Sequence, residues 1–181
     1  MLEKAMNVFW VHGYEATSVR LLEKEMGINQ FSIYASFKNK KNLFIQSICS
    51  YREHVKNHRF QPLLHENAGF QELERFFSGA VNANMTEISS KGCLIVNTAG
   101  ELGDRDSDIA REVNQYYDFI REMFKNVLRN AVKKQEIPVN TNVEQQANFF
   151  LGVMQSISVA SKTMDNNQLN DFISVALKQI K

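Results

Sequence analysis

Side chains that can recognise the edges of base pairs lie close together between Gln30 and Ala35. Gln30 can form a bidentate hydrogen-bonded pair with adenine, and Ser32 can bond to several bases. Phe31 and Ala35 can contact the methyl group of thymine. Nearby hydroxyl and amine groups can reach phosphate oxygens. The residues that carry these groups are Thr17, Ser18, Tyr34, Lys38 and Lys40. The types and spacing of these residues predict a DNA-binding surface.

Two short helices joined by a tight turn are needed to carry these side chains. Thr17 or Ser18 can cap the first helix. Gly27 permits the positive φ of the turn, and Asn29 can cap the second helix. The apolar residues predicted to pack inward are Val8, Phe9, Val19, Leu22, Met26, Ile28, Ile33 and Phe37. This pattern indicates a helix-turn-helix, because a generic helical hairpin would explain the apolar spacing but not the capped turn with outward polar groups.

The N-terminal segment resembles the TetR family of bacterial transcriptional regulators. The matching residues are Ala5, Phe9, Gly13-Tyr14, Thr17-Ser18-Val19, Leu22, Gly27-Ile28, Ile33-Tyr34, Phe37, Lys40 and Leu43. The resemblance implies a homodimer that binds a palindromic operator, and repression is an expectation from the family alone. It places DNA contacts at Arg20, Gln30, Phe31, Ser32, Tyr34, Ala35, Ser36 and Lys40. The chain departs from the family pattern at Glu23, where alanine is frequent, and at Phe31, where glycine is frequent.

Composition and charge agree with a globular chain whose N-terminal part is basic. The 181 residues are 44% hydrophobic, with a net charge of +1. Residues 1–60 carry nine Lys and Arg against five Asp and Glu, so this part has a charge of +4 and the remainder −3. Two cysteines without CxxC spacing, no apolar run of about 20 residues and no signal-like start favour a cytoplasmic location.

Helical periodicity extends over almost the whole chain, and no convincing strand pattern occurs. The sequence therefore predicts an all-α fold of about nine helices, with Pro62 and Pro138 between helices. We expect a DNA-binding domain at residues 1–46 and an effector-binding and dimerisation domain at residues 47–181. The later helices are predicted at 69–84, 93–102, 106 to Pro138, 142–163 and 167–180. The last two are expected to form a four-helix dimer interface, and burial within one chain is the alternative.

Apolar residues with a few polar groups between them could line an effector pocket in the second domain. The candidates are Phe76, Phe77, Met85, Asn97, Tyr116, Tyr117, Phe149 and Met154, each of which could equally be ordinary core. The segment 92–97 is also similar to a Gly-Cys-Leu-x-x-Asn segment of one TetR subgroup. Cys93, next to Lys91, could sense electrophiles or oxidants, or be a small buried hydrophobe.

Catalytic and cofactor sites have little support in the sequence. His54 and His58 are four residues apart, but without a nearby acid or cysteine they do not predict a metal site. We expect no cofactor and no enzymatic activity. Two alternatives stay open: a DNA-binding regulator controlled by a protein partner, and a small helical enzyme that uses His54, His58 and Cys93.

The favoured mechanism is repression, with an effector that shifts the helix near Asn39 and changes the spacing of two recognition helices.

Overall fold

A computed structural model describes residues 1–83 and 91–180 of the chain. For residues 80–83 it describes the backbone alone. Within these residues the structure contains ten helices and no strand, so the predicted all-α class is confirmed with one helix more than expected. The helices are α1 (Leu2–His12), α2 (Val19–Met26), α3 (Gln30–Phe37), α4 (Lys40–His58), α5 (Gln61–Leu64), α6 (Phe70–Ala83), α7 (Leu94–Leu102), α8 (Ser107–Lys133), α9 (Val143–Ala160) and α10 (Asn166–Lys178).

The helices form two compact units, each built from two segments of the chain. The first, here called the head unit, consists of Met1–Asn57 and Cys93–Tyr116. The second, the body unit, consists of His58–Gly92 and Tyr117–Lys181. The head unit therefore takes α7 and the first part of α8 from far along the chain. The domain boundary expected near residue 46 stays a prediction.

The core of the head unit follows the predicted apolar spacing. Phe9 of α1 is fully buried, and its ring meets that of Phe44 of α4 at 4.8 Å between centroids, edge to face. Leu22 of α2 and Ile33 of α3 are 0% exposed. Each such side chain contributes about 2 kcal/mol when it leaves water, so a few of them can hold these short helices together. Other residues expected in this core are only half-buried, namely Val19, Ile28 and Phe37.

The core of the body unit is dominated by phenylalanine rings. Phe77 of α6, Phe124 of α8 and Phe150 of α9 form a triangle with centroid distances of 5.9, 6.3 and 5.5 Å. All three rings are buried. Helix α10 packs against both α6 and α9. The rings of three different helices therefore meet at one point in the core of the body unit.

The structure corrects two helix boundaries. Pro62 does not separate helices but lies in the first turn of the short helix α5, where a missing N–H costs no hydrogen bond. Helix α8 ends at Lys133, before Pro138, and Gln135 follows with a positive φ of 59°. Among the described residues, no helix combines the length and hydropathy that crossing a membrane requires.

Candidate DNA-binding surface

Helix α2 and the turn after it are fixed by hydrogen bonds at both ends of the helix. The Oγ atom of Ser18 accepts a hydrogen bond from the N–H of Leu21 at 3.1 Å, which makes Ser18 the N-cap. Gly27 ends the helix with a φ of 73°, and its N–H donates to the carbonyl of Glu23 at 2.9 Å. A side chain would be strained in this left-handed conformation, so glycine suits the turn.

Helix α3 buries one side chain and leaves most of its surface open. Asn29 caps it by accepting a hydrogen bond from the N–H of Ser32 at 2.9 Å. Ile33 is the buried residue, whereas Phe31 is 83% exposed. The other exposed residues of this helix are Gln30, Ser32, Ala35 and Ser36, and Tyr34 is half-buried. The predicted base-contacting residues therefore share an accessible helix whose orientation is set from its buried side.

Glu23 connects the two helices. Its Oε1 atom accepts a hydrogen bond from the N–H of Gln30, the first residue of α3, at 2.5 Å. The carboxylate therefore satisfies one of the N–H groups that a helix leaves unpaired at its start, and its negative charge favours that end of the helix. The departure from the family pattern at this position has a structural role that spacing alone did not reveal.

Basic side chains lie at the exit from α3. Lys38 ends the helix with a φ of 67° and is exposed. The ammonium group of Lys40 lies 4.4 Å from the ring centroid of Tyr14, and that ring packs 4.9 Å from Phe44. Burial and the negative charge of Asp106 raise the pKa of Tyr14.

The structure contradicts the prediction that Thr17 contacts phosphate. It is 0% exposed, and its hydroxyl donates to the carbonyl of Gly13 at 2.5 Å. A buried and engaged hydroxyl holds the loop between α1 and α2 and is not presented to phosphate. Ser18 and Arg20, next along the chain, are exposed, although the Ser18 Oγ atom already serves as a cap.

Lys41 was not predicted as a functional residue, yet it ties α4 to the start of α8 within the head unit. Its Nζ atom lies 3.1 Å from Asp106 Oδ2 and 2.7 Å from Asp108 Oδ2. These hydrogen bonds raise the pKa of Lys41, and the bond from Lys41 lowers the pKa of Asp108. Burial works against ionisation of Asp106, but Lys41 and the N–H groups of Ile109 and Asp108 hold its pKa below the ordinary value.

Residues 1–46 match the family model "Bacterial regulatory proteins, tetR family", and residues 69–176 match "Tetracyclin repressor-like, C-terminal domain". The chain belongs to the TetR family. The predicted family is thus confirmed over both parts of the chain. The two family models and the curated relatives are those of transcriptional regulators and not of enzymes, which removes the helical-enzyme alternative.

Curated relatives and solved structures of the TetR family cover most of the chain. The transcriptional repressor ComR of Escherichia coli is 28% identical over 89% of this chain and 77% of its own length. The uncharacterised regulator YezE of Bacillus subtilis is 29% identical over 98% and 92%. A cysteine mutant of the TetR-family regulator CifR, solved with a 26-bp double-strand operator DNA, has a TM-score of 0.88 at 23% identity, covering 99% of this chain and 94% of CifR. That likeness shows a shared fold.

The predicted effector-binding residues are divided between the two units of this TetR-family chain. Phe76, Phe77, Tyr117, Phe149 and Met154 belong to the body unit, whereas Cys93, Asn97 and Tyr116 belong to the head unit. In the body unit, the ring of Phe76 meets that of Phe77 at 5.2 Å, and Phe149 meets Phe150 at 5.4 Å. Met85 lies outside the described residues. The assignment of these residues to an effector stays a prediction.

The two cysteines occupy different environments in the head unit. Cys93 is 9% exposed, and its sulfur lies 4.0 Å from the hydroxyl oxygen of Tyr116. Cys49 is half-buried, and burial together with the charge of Glu112 raises the pKa of its thiol, which makes it less reactive.

No group of three or more His, Cys, Asp or Glu side chains that could hold a metal ion occurs in the described parts of the chain.

Proposed function

We propose that this TetR-family chain is a repressor that binds a palindromic operator as a homodimer and is released by a small hydrophobic or electrophilic effector. The observation that carries the proposal is the exposed surface of α3, held between two caps and presenting Gln30, Phe31, Ser32, Ala35 and Ser36. A helix presented in this way fits the major groove, where amide, hydroxyl and apolar groups distinguish base pairs. The operator DNA bound by CifR, and the repressor ComR, support the same function. Access to chromosomal DNA would place the protein in the cytoplasm.

The direct test is to select binding sequences from random double-stranded DNA and then to change the proposed contacts. Combined Gln30→Ala, Tyr34→Ala and Lys40→Ala substitutions should lower affinity for the selected operator at least about 100-fold, since the base contact of Gln30 contributes about 1–3 kcal/mol and the phosphate contacts of Tyr34 and Lys40 add to it. A matched control removes an amide and an amine elsewhere, at the exposed residues Asn114 and Lys133. Operator binding that survives the triple change would refute the proposal.

The proposed dimer uses the exposed apolar side chains of α9 and α10. Val159 is 58% exposed, Val175 59% and Phe149 40%, so these apolar side chains of the two helices are accessible to a second chain. Gly152 and Ser156 lie on the same helix as Phe149 and are small enough for another helix to approach. Sedimentation at micromolar concentration should show a dimer, and Val159→Asp with Val175→Asp should yield a monomer. A monomeric unaltered chain would contradict this part of the proposal.

The effector response needs its own test. Compounds that release the chain from its selected operator would identify a hydrophobic effector, and failure of every compound would favour control by a protein partner. For an electrophile, operator affinity should be measured with and without N-ethylmaleimide in the unaltered chain and in Cys93→Ser. Because Cys93 is nearly buried, its modification would have to displace neighbouring groups such as Tyr116. Equal responses in both proteins would exclude Cys93 as the sensor.

A further inference from the structure

The loop between α1 and α2 is held by a residue that is distant in the sequence. The carboxylate of Glu101, in the last turn of α7, accepts hydrogen bonds from two consecutive backbone N–H groups of this loop. Its Oε2 atom lies 2.9 Å from the nitrogen of Tyr14, and its Oε1 atom lies 2.7 Å from the nitrogen of Glu15. Hydrogen bonds from backbone N–H groups to a charged carboxylate are about twice as strong as those between neutral groups.

The loop is shaped to admit this carboxylate. Gly13 has a φ of 79°, and a Cβ atom there would lie 2.7 Å from Glu101 Oε2 and 3.0 Å from its Oε1. A methyl group at this position would push the carboxylate away, so the glycine and the acid fit each other. The buried Thr17 hydroxyl also donates to the carbonyl of Gly13. The loop is therefore held both by α7 and by the residue that precedes the α2 cap.

We propose that Glu101 is a positioning residue for operator binding, which sets where α2 begins and hence where the helix-turn-helix presents α3. The inference rests on the proposed operator binding. Ser18, the cap of α2, directly follows Thr17, so a loop released from Glu101 changes the start of α2. Helix α7 also packs against α1, and Cys93 stands at its beginning. A movement of the last turn of α7 therefore acts on the loop through this carboxylate, beside any effect of α7 on α1.

The test compares Glu101→Gln with Asp104→Asn in the full-length chain. Both changes remove one negative charge, and Asp104 is exposed three residues further along. A glutamine offers only one acceptor oxygen, and its NH₂ group would face a backbone N–H group, so at least one of the two bonds is lost. We expect Glu101→Gln to lower affinity for the selected operator about tenfold, while Asp104→Asn changes it by less than about twofold. Both proteins are measured well below their unfolding temperatures, with equal dimerisation checked by sedimentation.

Two further readouts separate positioning from a purely structural role. Amide hydrogen exchange at Tyr14 and Glu15 should accelerate in Glu101→Gln, and affinity for unrelated DNA should change no more than in Asp104→Asn. Glu101→Asp, which keeps both acceptor oxygens, should recover part of the lost operator affinity. Accelerated exchange with unchanged operator affinity would overturn the inference, and so would unchanged exchange. A chain that selects no DNA would overturn the proposed function and this inference together, whereas equal binding by Glu101→Gln overturns this inference alone.

Discussion

Helices α3 and α9 are held in place by different means. Of the eight residues of α3, only Ile33 is buried, and the first turn is fixed by hydrogen bonds that the N–H groups of Ser32 and Gln30 donate to the side chains of Asn29 and Glu23. Of the eighteen residues of α9, six are buried, among them Phe150 in the aromatic core. A helix fixed at its end can present nearly all of its side chains to a partner, whereas a helix fixed by packing must use its side chains for the core. The difference leaves most side chains of α3 exposed, as the proposed contact with DNA requires.

The largest expected effect concerns packing in α9. Phe150→Ala should lower the free energy of unfolding by about 3–5 kcal/mol, because the ring is 0% exposed and its loss leaves a cavity among Phe77 and Phe124. Phe31→Ala, at an 83% exposed position outside the proposed dimer interface, is the control and should cost much less in the absence of DNA. Urea unfolding of both variants measures the effect. Equal costs would mean that α9 is not held mainly by its buried rings.

The next effect compares two caps of the same type. Asn29 caps α3 and Asn142 caps α9, each by accepting a hydrogen bond from a backbone N–H three residues on. Replacing either by alanine should cost about 1 kcal/mol of stability. Only Asn29→Ala should also lower operator affinity, by about fivefold, because α3 has little buried surface to keep its first turn in place. Similar losses of operator binding in both variants would remove the contrast between the helices.

A smaller effect is expected at Glu23. Glu23→Ala leaves the N–H of Gln30 without its carboxylate partner and removes a negative charge beside α3. Affinity for unrelated DNA should rise, and the preference for the operator should fall about threefold, since charge favours all DNA sequences alike. Fluorescence anisotropy with operator and scrambled DNA at two salt concentrations measures both quantities. Glu23→Gln keeps an acceptor oxygen and should retain more of the preference. An unchanged preference in Glu23→Ala would show that Glu23 does not position α3.

The smallest effect concerns the ion pairs of Lys41, which are partly exposed to solvent and therefore contribute little. The lowered pKa values of Asp106 and Asp108 give a stabilisation that is present above their ordinary range and lost as the pH falls through the lowered values. The raised pKa of Lys41 gives a second stabilisation, which is fully present below pH 10.5 and is lost only as the pH rises above this value. Lys41→Met should therefore flatten the decline in unfolding temperature between about pH 5 and pH 2. Parallel curves for the two proteins would contradict this expectation.

Local signals in the sequence predicted the head unit well because caps and turns depend on neighbouring residues. Ser18, Gly27 and Asn29 act at the positions where their residue types indicated. The predicted phosphate contact of Thr17 was wrong because the direction of a hydroxyl depends on the loop around it. The Thr17 hydroxyl donates to the carbonyl of Gly13. The hydrogen bonds that the N–H groups of Tyr14 and Glu15 donate to Glu101 span more than 80 residues of sequence, and no periodicity encodes such a contact.

The body unit was harder to predict, for a different physical reason. Ring packing has no preferred partner type, so Phe76 and Phe77 have the same appearance in a sequence whether they fill a core or surround a ligand. Pro62 was misassigned because a four-residue helix is too short to show a period.

The two-segment make-up of the head unit limits how this regulator can be recombined with its relatives. A chimera joined near residue 46 would carry Gly13 and the N–H groups of Tyr14 and Glu15 into a new protein but leave Glu101 behind. The conformation of the loop between α1 and α2 in such a hybrid would depend on the C-terminal part taken from the relative. That part would have to supply an acid at the end of its corresponding helix. Exchange of C-terminal segments by simple fusion is therefore expected to succeed between chains that share the Gly13–Glu101 pair, or when residues 93–116 are transferred with the N-terminal segment.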